Sequence, residues 1–536
     1  MKTSLFACLI TVLCTIEVLA QSNNDSQNPI AYYNMETRGG FRQNQLHHYT
    51  SLVVEGISGK ARYFMPQTGA GSFSIVEENN ILSELWSGFD FSVELWVQTK
   101  AENKEFQVIA ANKDWNSGDI KDYTDNRYAG LSRTSGINKG WALICQPDGS
   151  WAWNIGNGEL RKDYRPTAPR QSIDDGEWHQ IAFSINSKLN EARLYFDGRN
   201  VAIYYVGGVT DLESEFSVCL GNDPVSDNLN PSFDGAIDEF SIYDYVLSDK
   251  KIAENYKKYV PAAKIPGLSS EKVEVLNLMT WNIWHGGRRR GREIGPQQVI
   301  DFIKDTGTDI VMMQETYGSG PLIADALGYY FYLASANLSV LSKYPIENTR
   351  VAYHELWSGI TTIKLSESQK INLASIWLHY LPGWSSDARK PDATPEKLIE
   401  GEEENRHREI KVILAALKDE IRDADNIPLI IGGDFNSPSH KDWIPETAGW
   451  HNGLVVKWPV SLSMMKAGFI DSFRELHPDL NYSSPSMSAE KISWHIDYIY
   501  YKGKNLNAVD SDIHFKYKGV WPSDHPAVTT TIKFKK

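Results

Sequence analysis

The apolar run Pro428-Leu429-Ile430-Ile431 ends in two glycines and then presents Asp434 and, two positions on, Asn436, followed by Ser437-Pro438. In extended backbone, residues two apart project to the same side. The stretch therefore reads as a strand delivering an acid and an amide to one pocket. Read alone, the same residues would serve a hairpin turn equally well, because Gly, Asp and Asn favour turns for backbone reasons. The neighbouring segments separate the two readings.

Val275-Leu276-Asn277-Leu278-Met279-Thr280 alternates as a buried strand and runs into Trp281-Asn282; Gln297 to Lys304 is helical in spacing; Asp309 to Glu315 is an apolar strand ending in a glutamate. A β-α-β rhythm with a polar residue at each strand end is how α/β folds build sites. Leu338 to Leu341 and Ile371 to His379 follow as strands, and Glu396 to Arg422 reads as one long amphipathic helix with a solvated charged face. The chain closes with Trp494-His495-Ile496-Asp497 and Trp521-Pro522-Ser523-Asp524-His525. Strand ends thus offer Asn282, Glu315, His379, Asp434 with Asn436, Asp497, and Asp524 with His525.

This ordered set, from about residue 273 to 536, resembles the endonuclease/exonuclease/phosphatase superfamily, which includes deoxyribonuclease I. The resemblance implies a deoxyribonuclease I-like α/β four-layer sandwich and metal-dependent phosphoric ester hydrolysis. It makes Glu315 the principal magnesium ligand, with Asn282 and Asp524 nearby and manganese as a substitute ion. Asp434 and Asn436 would orient nucleophile and phosphate or hold a second metal. Asp497 would hydrogen-bond His525, which acts as general base or phosphate binder, and His379 would contact phosphate or assist the leaving group. Hard oxygen ligands suit magnesium, and such hydrolysis needs charge neutralised on phosphate and water activated. Arg288 and Arg290, in the cluster with Arg289 and Arg292, are candidates to clamp an anionic group; a solvated loop is the other reading. Trp281, Trp284, Trp357, Trp377, Trp384, Trp494 and Trp521 are expected near strand ends on that side, as aromatic walls or as packing.

From Ile30 to Tyr243 the pattern changes to short period-two runs, such as Phe91 to Val97 and Ala192 to Gly198, broken by Gly, Asp and Asn turns. That pattern predicts an all-β sandwich. Phe91 to Val97, Asn112-Lys113-Asp114-Trp115, Glu177 to Ala182, Leu194 to Gly198 and Gly235 to Tyr243 resemble, in order, the laminin-G-like/concanavalin A-like jelly-roll modules of secreted proteins. The module spans 28–258, a Pro- and Gly-containing linker 259–272, and the second domain 273–536. Such modules bind glycans or proteins, and some hold calcium. Asp114, Asp119, Asp122 and Asp125 form a polar loop that offers oxygen ligands to a hard cation; a solvated acidic loop is the simpler reading. Trp96 and Trp178 are expected in the core.

Residues 1–20 have the organisation of a secretory signal: Lys2, the apolar run Leu5 to Leu13, and Val18-Leu19-Ala20. The expected location is secreted, periplasmic or cell surface, with no transmembrane anchor. Cys145 and Cys219 remain after cleavage, and either a disulfide or two buried thiols fits. The net charge of −14, carried mostly before residue 260, gives no basic track for a nucleic acid. These readings favour a phosphodiesterase acting on a phosphorylated glycan, glycolipid or phospholipid headgroup, with a glycan- or protein-binding module. An extracellular nuclease is the alternative among enzymes, and a binding protein with an inert hydrolase domain the alternative from another class.

Overall fold

The computed structural model describes residues 28–36, 46–49, 51–65, 73–76, 80–100, 105–115, 137–209, 211–222, 224 and 232–535. The expected leader and Asp119, Asp122 and Asp125 lie outside the described residues. In the N-terminal domain, Phe91–Gln98, His179–Asn186, Glu191–Phe196, Arg199–Tyr205 and Gly235–Tyr243 belong to one antiparallel sheet. Gln107–Ala111, Gly140–Cys145, Trp151–Gly156 and Arg161–Tyr164 belong to the other. Inner-face residues of both, including Val93, Leu95, Phe183, Trp141 and Trp153, share one buried cluster, as face-to-face packing requires. The outer face is not left to solvent. Helix Asp249–Tyr259 lies on it and stacks Tyr256 on Trp96 at 5.4 Å, which buries Trp96 as expected. Trp178 departs from expectation: it precedes its strand and is only half-buried. Cys145 and Cys219 sit on strands that both pair with Gln107–Ala111, and no disulfide joins them.

The C-terminal domain is four layers. Its first sheet orders Leu506–His514, Ala527–Phe534, Val275–Asn282, Ile310–Gln314, Leu338–Ser342 and Tyr330–Leu333; its second orders Ile346–Arg350, Ser358–Ser366, Gln369–Trp377, Leu429–Asp434, Asp497–Lys502 and Ile470–Asp471. Leu278, Met312 and Val340 from one meet Leu373, Ile430 and Ile499 from the other in a shared core. Helix Ile294–Asp305 covers the first sheet through Val299, Phe302 and Ile303, and helices Arg406–Ala416 and Pro459–Lys466 cover the second through Ile410, Ile413, Val460 and Met464.

The expected single helix from Glu396 to Arg422 is three: Pro395–Glu403, Arg406–Ala416 and Lys418–Asp423. The first break falls at Asn405, whose φ of −127° and ψ of −92° leave the helical region. Asn is prone to this because its amide competes for backbone partners. The charged face is also not wholly solvated, since Glu402, Arg406 and Glu409 are buried.

The two domains share a sheet. Arg199–Tyr205 runs parallel to Tyr330–Leu333, with Ile203 opposite Tyr332 and Tyr204 opposite Leu333. Around this seam, Thr167 Oγ1 and Gln171 Nε2 donate to the Asp325 carboxylate at 2.8 and 2.9 Å, and Arg193 Nη2 donates to the Glu347 carbonyl at 2.8 Å.

Candidate active site

Strand register brings the polar ends together. Asn282 pairs with Gln314, next to Glu315; Trp377, two before His379, pairs with Asp434; Asp434 in turn lies opposite Asp497. The strand Leu429–Asp434 is fully buried, and Gly433 allows this packing because a Cβ there would fall 1.9 Å from the Ile376 carbonyl oxygen. Beyond the strands, Glu315 and Asn436 adopt φ of +52° and +48°. Non-glycine residues rarely hold this left-handed backbone, and it concentrates where a site demands it.

Glu315 accepts from the His285 N–H at 2.9 Å and from Asn282 Nδ2 at 3.3 Å, and its own N–H donates to Asn337 Oδ1 at 3.2 Å. Asn282 also donates to Asp434 Oδ2 at 3.2 Å, while its Oδ1 accepts from Trp284 N–H at 3.0 Å. Asn436 Nδ2 donates to Asp434 at 3.2 Å and to the Leu378 carbonyl at 2.8 Å. Opposite them, His525 Nδ1 faces both Asp497 oxygens at 3.1 and 3.3 Å, and its Nε2 lies 3.9 Å from Asp434 Oδ2. The loop carrying His525 is pinned by Ser523, whose hydroxyl donates to the Asn282 carbonyl at 2.6 Å and accepts from His525 N–H at 3.0 Å.

Charge in the site is lopsided. Burial pushes the Asp434 carboxyl up; the His525 cation opposes that shift and the Asp497 charge adds to it. Burial also raises Asp524, with His525 opposing and the Glu315 charge adding. Burial disfavours the His525 cation, but Asp497, Asp434 and Asp524 outweigh it and hold its pKa well above the usual histidine value. Ligand atoms of Asp434, Asp497 and His525 lie within 4.8 Å of one another. Three carboxylates act on the His525 imidazole and Glu315 acts in turn on Asp524, an oxygen-rich set that fits a hard divalent cation on both donor chemistry and charge.

Residues 279–525 match the profile of the endonuclease/exonuclease/phosphatase family, and residues 71–253 match that of the concanavalin A-like lectin/glucanases superfamily. The C-terminal domain is an endonuclease/exonuclease/phosphatase-family domain. An uncharacterized Caenorhabditis elegans protein is 27% identical over 300 residues, covering 48% of this chain and 91% of its own. Among solved structures, the human Nocturnin catalytic domain with bound sulfate is 17% identical, with 50% of this chain and 97% of that one covered and a TM-score of 0.35. The binding domain of Paraclostridial Mosquitocidal Protein 1 is 15% identical with a TM-score of 0.33; 47% of this chain is covered, and the match spans 58% of that protein's length.

Within the endonuclease/exonuclease/phosphatase domain, the arginine cluster is arranged differently from a convergent clamp. Arg288 Nε donates to Ser319 Oγ at 2.8 Å, whereas the Arg289 and Arg290 guanidinium groups lie over the Trp284 ring, 5.4 and 5.3 Å from its centroid. Nor do the tryptophans form one wall. Trp281 is core, packed on Trp521 and Phe302. Trp384 and Trp494 join Trp443 and Trp458 in a separate cluster, with centroids 5.2–5.9 Å apart, His451 stacked on Trp443 at 4.1 Å and Arg389 over Trp494 at 4.6 Å. Trp284, Trp357 and Trp377 are half-buried, and the Trp357 ring meets that of His379 edge-on at 6.5 Å. Sequence reasoning passed over His285, which lies 3.8 Å from Glu315, and Asn337, whose amide ties Glu315 to the Leu356 carbonyl at 3.1 Å. Neither carries a local signal beyond a polar residue near a strand end.

Proposed function

We propose that this chain is a secreted, magnesium-dependent phosphodiesterase that hydrolyses a phosphorylated glycan, glycolipid or phospholipid headgroup, with the N-terminal sandwich binding a glycan or protein ligand. The observation that carries the reading is the Asp497–His525 pair set against Asp434, with the charges of His525 and Glu315 both felt at Asp524. Asp497 fixes the His525 ring through Nδ1 and leaves Nε2 toward the reacting phosphate. Asp434, held by Asn282 and Asn436, orients the attacking water. His379 contacts phosphate or the leaving oxygen from the adjoining strand end. Glu315 and Asp524, with Asn282 beside them, would hold the cation, which when bound neutralises charge on the attacked phosphate. The acidic chain supports ranking a sugar or lipid ester above DNA.

The test is hydrolysis by the mature chain, with magnesium and with chelator, of bis-p-nitrophenyl phosphate, plasmid DNA, sphingomyelin, phosphoinositides and a glycosyl phosphodiester. Chelator-sensitive cleavage of a lipid or sugar ester with DNA intact supports the proposal. Rapid DNA cleavage makes the protein a nuclease, and no cleavage of any substrate makes it a binding protein.

A further inference from the structure

Glu402, Arg406, Glu409, Ile413 and Leu417 are spaced four, three, four and four apart, so the charged residues extend the apolar stripe of the helical segment instead of facing water. Arg406 and Glu402 are fully buried, and Glu409 is nearly so. Burying three ionisable groups is costly unless they are satisfied. Arg406 meets one turn of chain. Its Nη1 donates to the His379 carbonyl at 3.2 Å and to the Pro382 carbonyl at 3.0 Å, bridging the two ends of the turn that follows strand Gln369–Trp377. Glu409 accepts the His379 N–H at 2.9 Å, and Glu402 lies 3.9 Å from Arg406 Nε while accepting the Ser437 hydroxyl.

The turn is also held from within: His379 Nδ1 accepts from the Leu381 N–H at 3.1 Å, and the Tyr380 ring stacks on His379 at 5.0 Å. Tyr380 and Leu381, which lie between the two bridged carbonyls, are 55% and 49% exposed, so burial contributes little to fixing the backbone there. On its other side, Asn436 Nδ2 holds the preceding carbonyl, that of Leu378. His379 is thus gripped between a residue of the site and a pair of helix charges.

We propose that Arg406 and Glu409 are positioning residues that act through His379, fixing its backbone so that its imidazole meets the phosphoester. This rests on the reading of His379 given under Proposed function. A lysine at 406 keeps the charge but is shorter, so its Nζ falls short of the point from which Arg406 Nη1 serves both carbonyls. Because small displacements of a reacting group are costly, Arg406→Lys is expected to lower kcat by roughly 10- to 100-fold while KM moves less than threefold.

The test is a double-mutant cycle on the full mature chain, with bis-p-nitrophenyl phosphate as probe. It compares the parent, Arg406→Lys, His379→Ala and the double variant. If Arg406 acts through His379, Arg406→Lys costs nothing further, within twofold, once His379 is alanine. A loss of the same factor in both backgrounds overturns the proposal. Full activity of His379→Ala instead overturns the reading of His379 on which the proposal rests, a distinguishable result. Should Arg406→Lys fail to fold, Glu402→Gln with Arg406→Met, which leaves Glu409 as the one buried ionisable group of the three, goes through the same cycle.

Discussion

Ile203 lies in the N-terminal domain but has no exposed surface and belongs to the buried cluster of Leu276, Leu278, Ile310, Tyr332 and Val340 in the C-terminal one. Ile203→Ala removes a buried side chain at a seam that two sheets frame, where collapse around the void is restricted. The expected loss is about 3 kcal/mol. For a domain of 150–250 residues that corresponds to a drop of roughly 6–12 °C in the unfolding midpoint. The domain that loses it should be the catalytic one. Hydrogen exchange followed by mass spectrometry reads this directly: opening should accelerate in Tyr330–Leu333 and Leu338–Ser342, more than 120 residues downstream of the substitution. Ile181→Ala is the control, since Ile181 is equally buried but lies mid-sheet in the sandwich, opposite Leu95 on one side and Phe196 on the other. It should open Phe91–Gln98 and spare Leu338–Ser342. If Ile203→Ala accelerates exchange only in Arg199–Tyr205, the shared sheet is a surface contact and the reasoning is wrong.

Glu315→Ala and His525→Ala should each lower hydrolysis by at least about 100-fold with the fold intact, as kcat measurements and circular dichroism would check. Magnesium at 100 times its dissociation constant should raise stability by about 2.7 kcal/mol, a gain that differential scanning calorimetry should find absent in Glu315→Gln combined with Asp524→Asn. Burial, opposed by the Ser437 hydroxyl and the Arg406 guanidinium, pushes the Glu402 carboxyl up to about 7. The folded chain therefore holds this proton more tightly than the unfolded one, and stability falls as pH rises from about 4.5 to 7, by on the order of 3 kcal/mol. Urea unfolding across that range should show a shallower decline in Glu402→Gln.

The polar strand ends were legible because each borders an apolar run, and register then brings them to one edge of the sheets: parallel pairing sets Asn282 beside Glu315, and antiparallel pairing sets Asp434 opposite Asp497. The aromatic residues were not, because an indole at a strand end looks the same in sequence whether it faces a cleft, as half-buried Trp357 does beside His379, or fills a core, as Trp281 does. The charged helix misled for a related reason. Glu402 and Arg406 follow a surface pattern to the eye, and only their phase with Ile413 and Leu417 marks them as interior. The seam carried no signal, since pairing between Ile203 and Tyr332 depends on which strand edges remain open after both domains fold.

The four-tryptophan cluster has an optical consequence. Indoles 5.2–5.9 Å apart couple their transitions, so the protein carries its own near-ultraviolet reporter. Its members sit close in sequence to candidate site residues: Trp384 lies two residues past Pro382, the end of the turn that bears His379, and Trp494 lies three before Asp497. Burial holds the imidazole of His451, stacked on Trp443, down to about 4, so at neutral pH it is an uncharged neighbour and a weak quencher. Any shift of either strand end on binding a phosphoester should then change the dichroism and emission of this cluster, giving a label-free signal of binding.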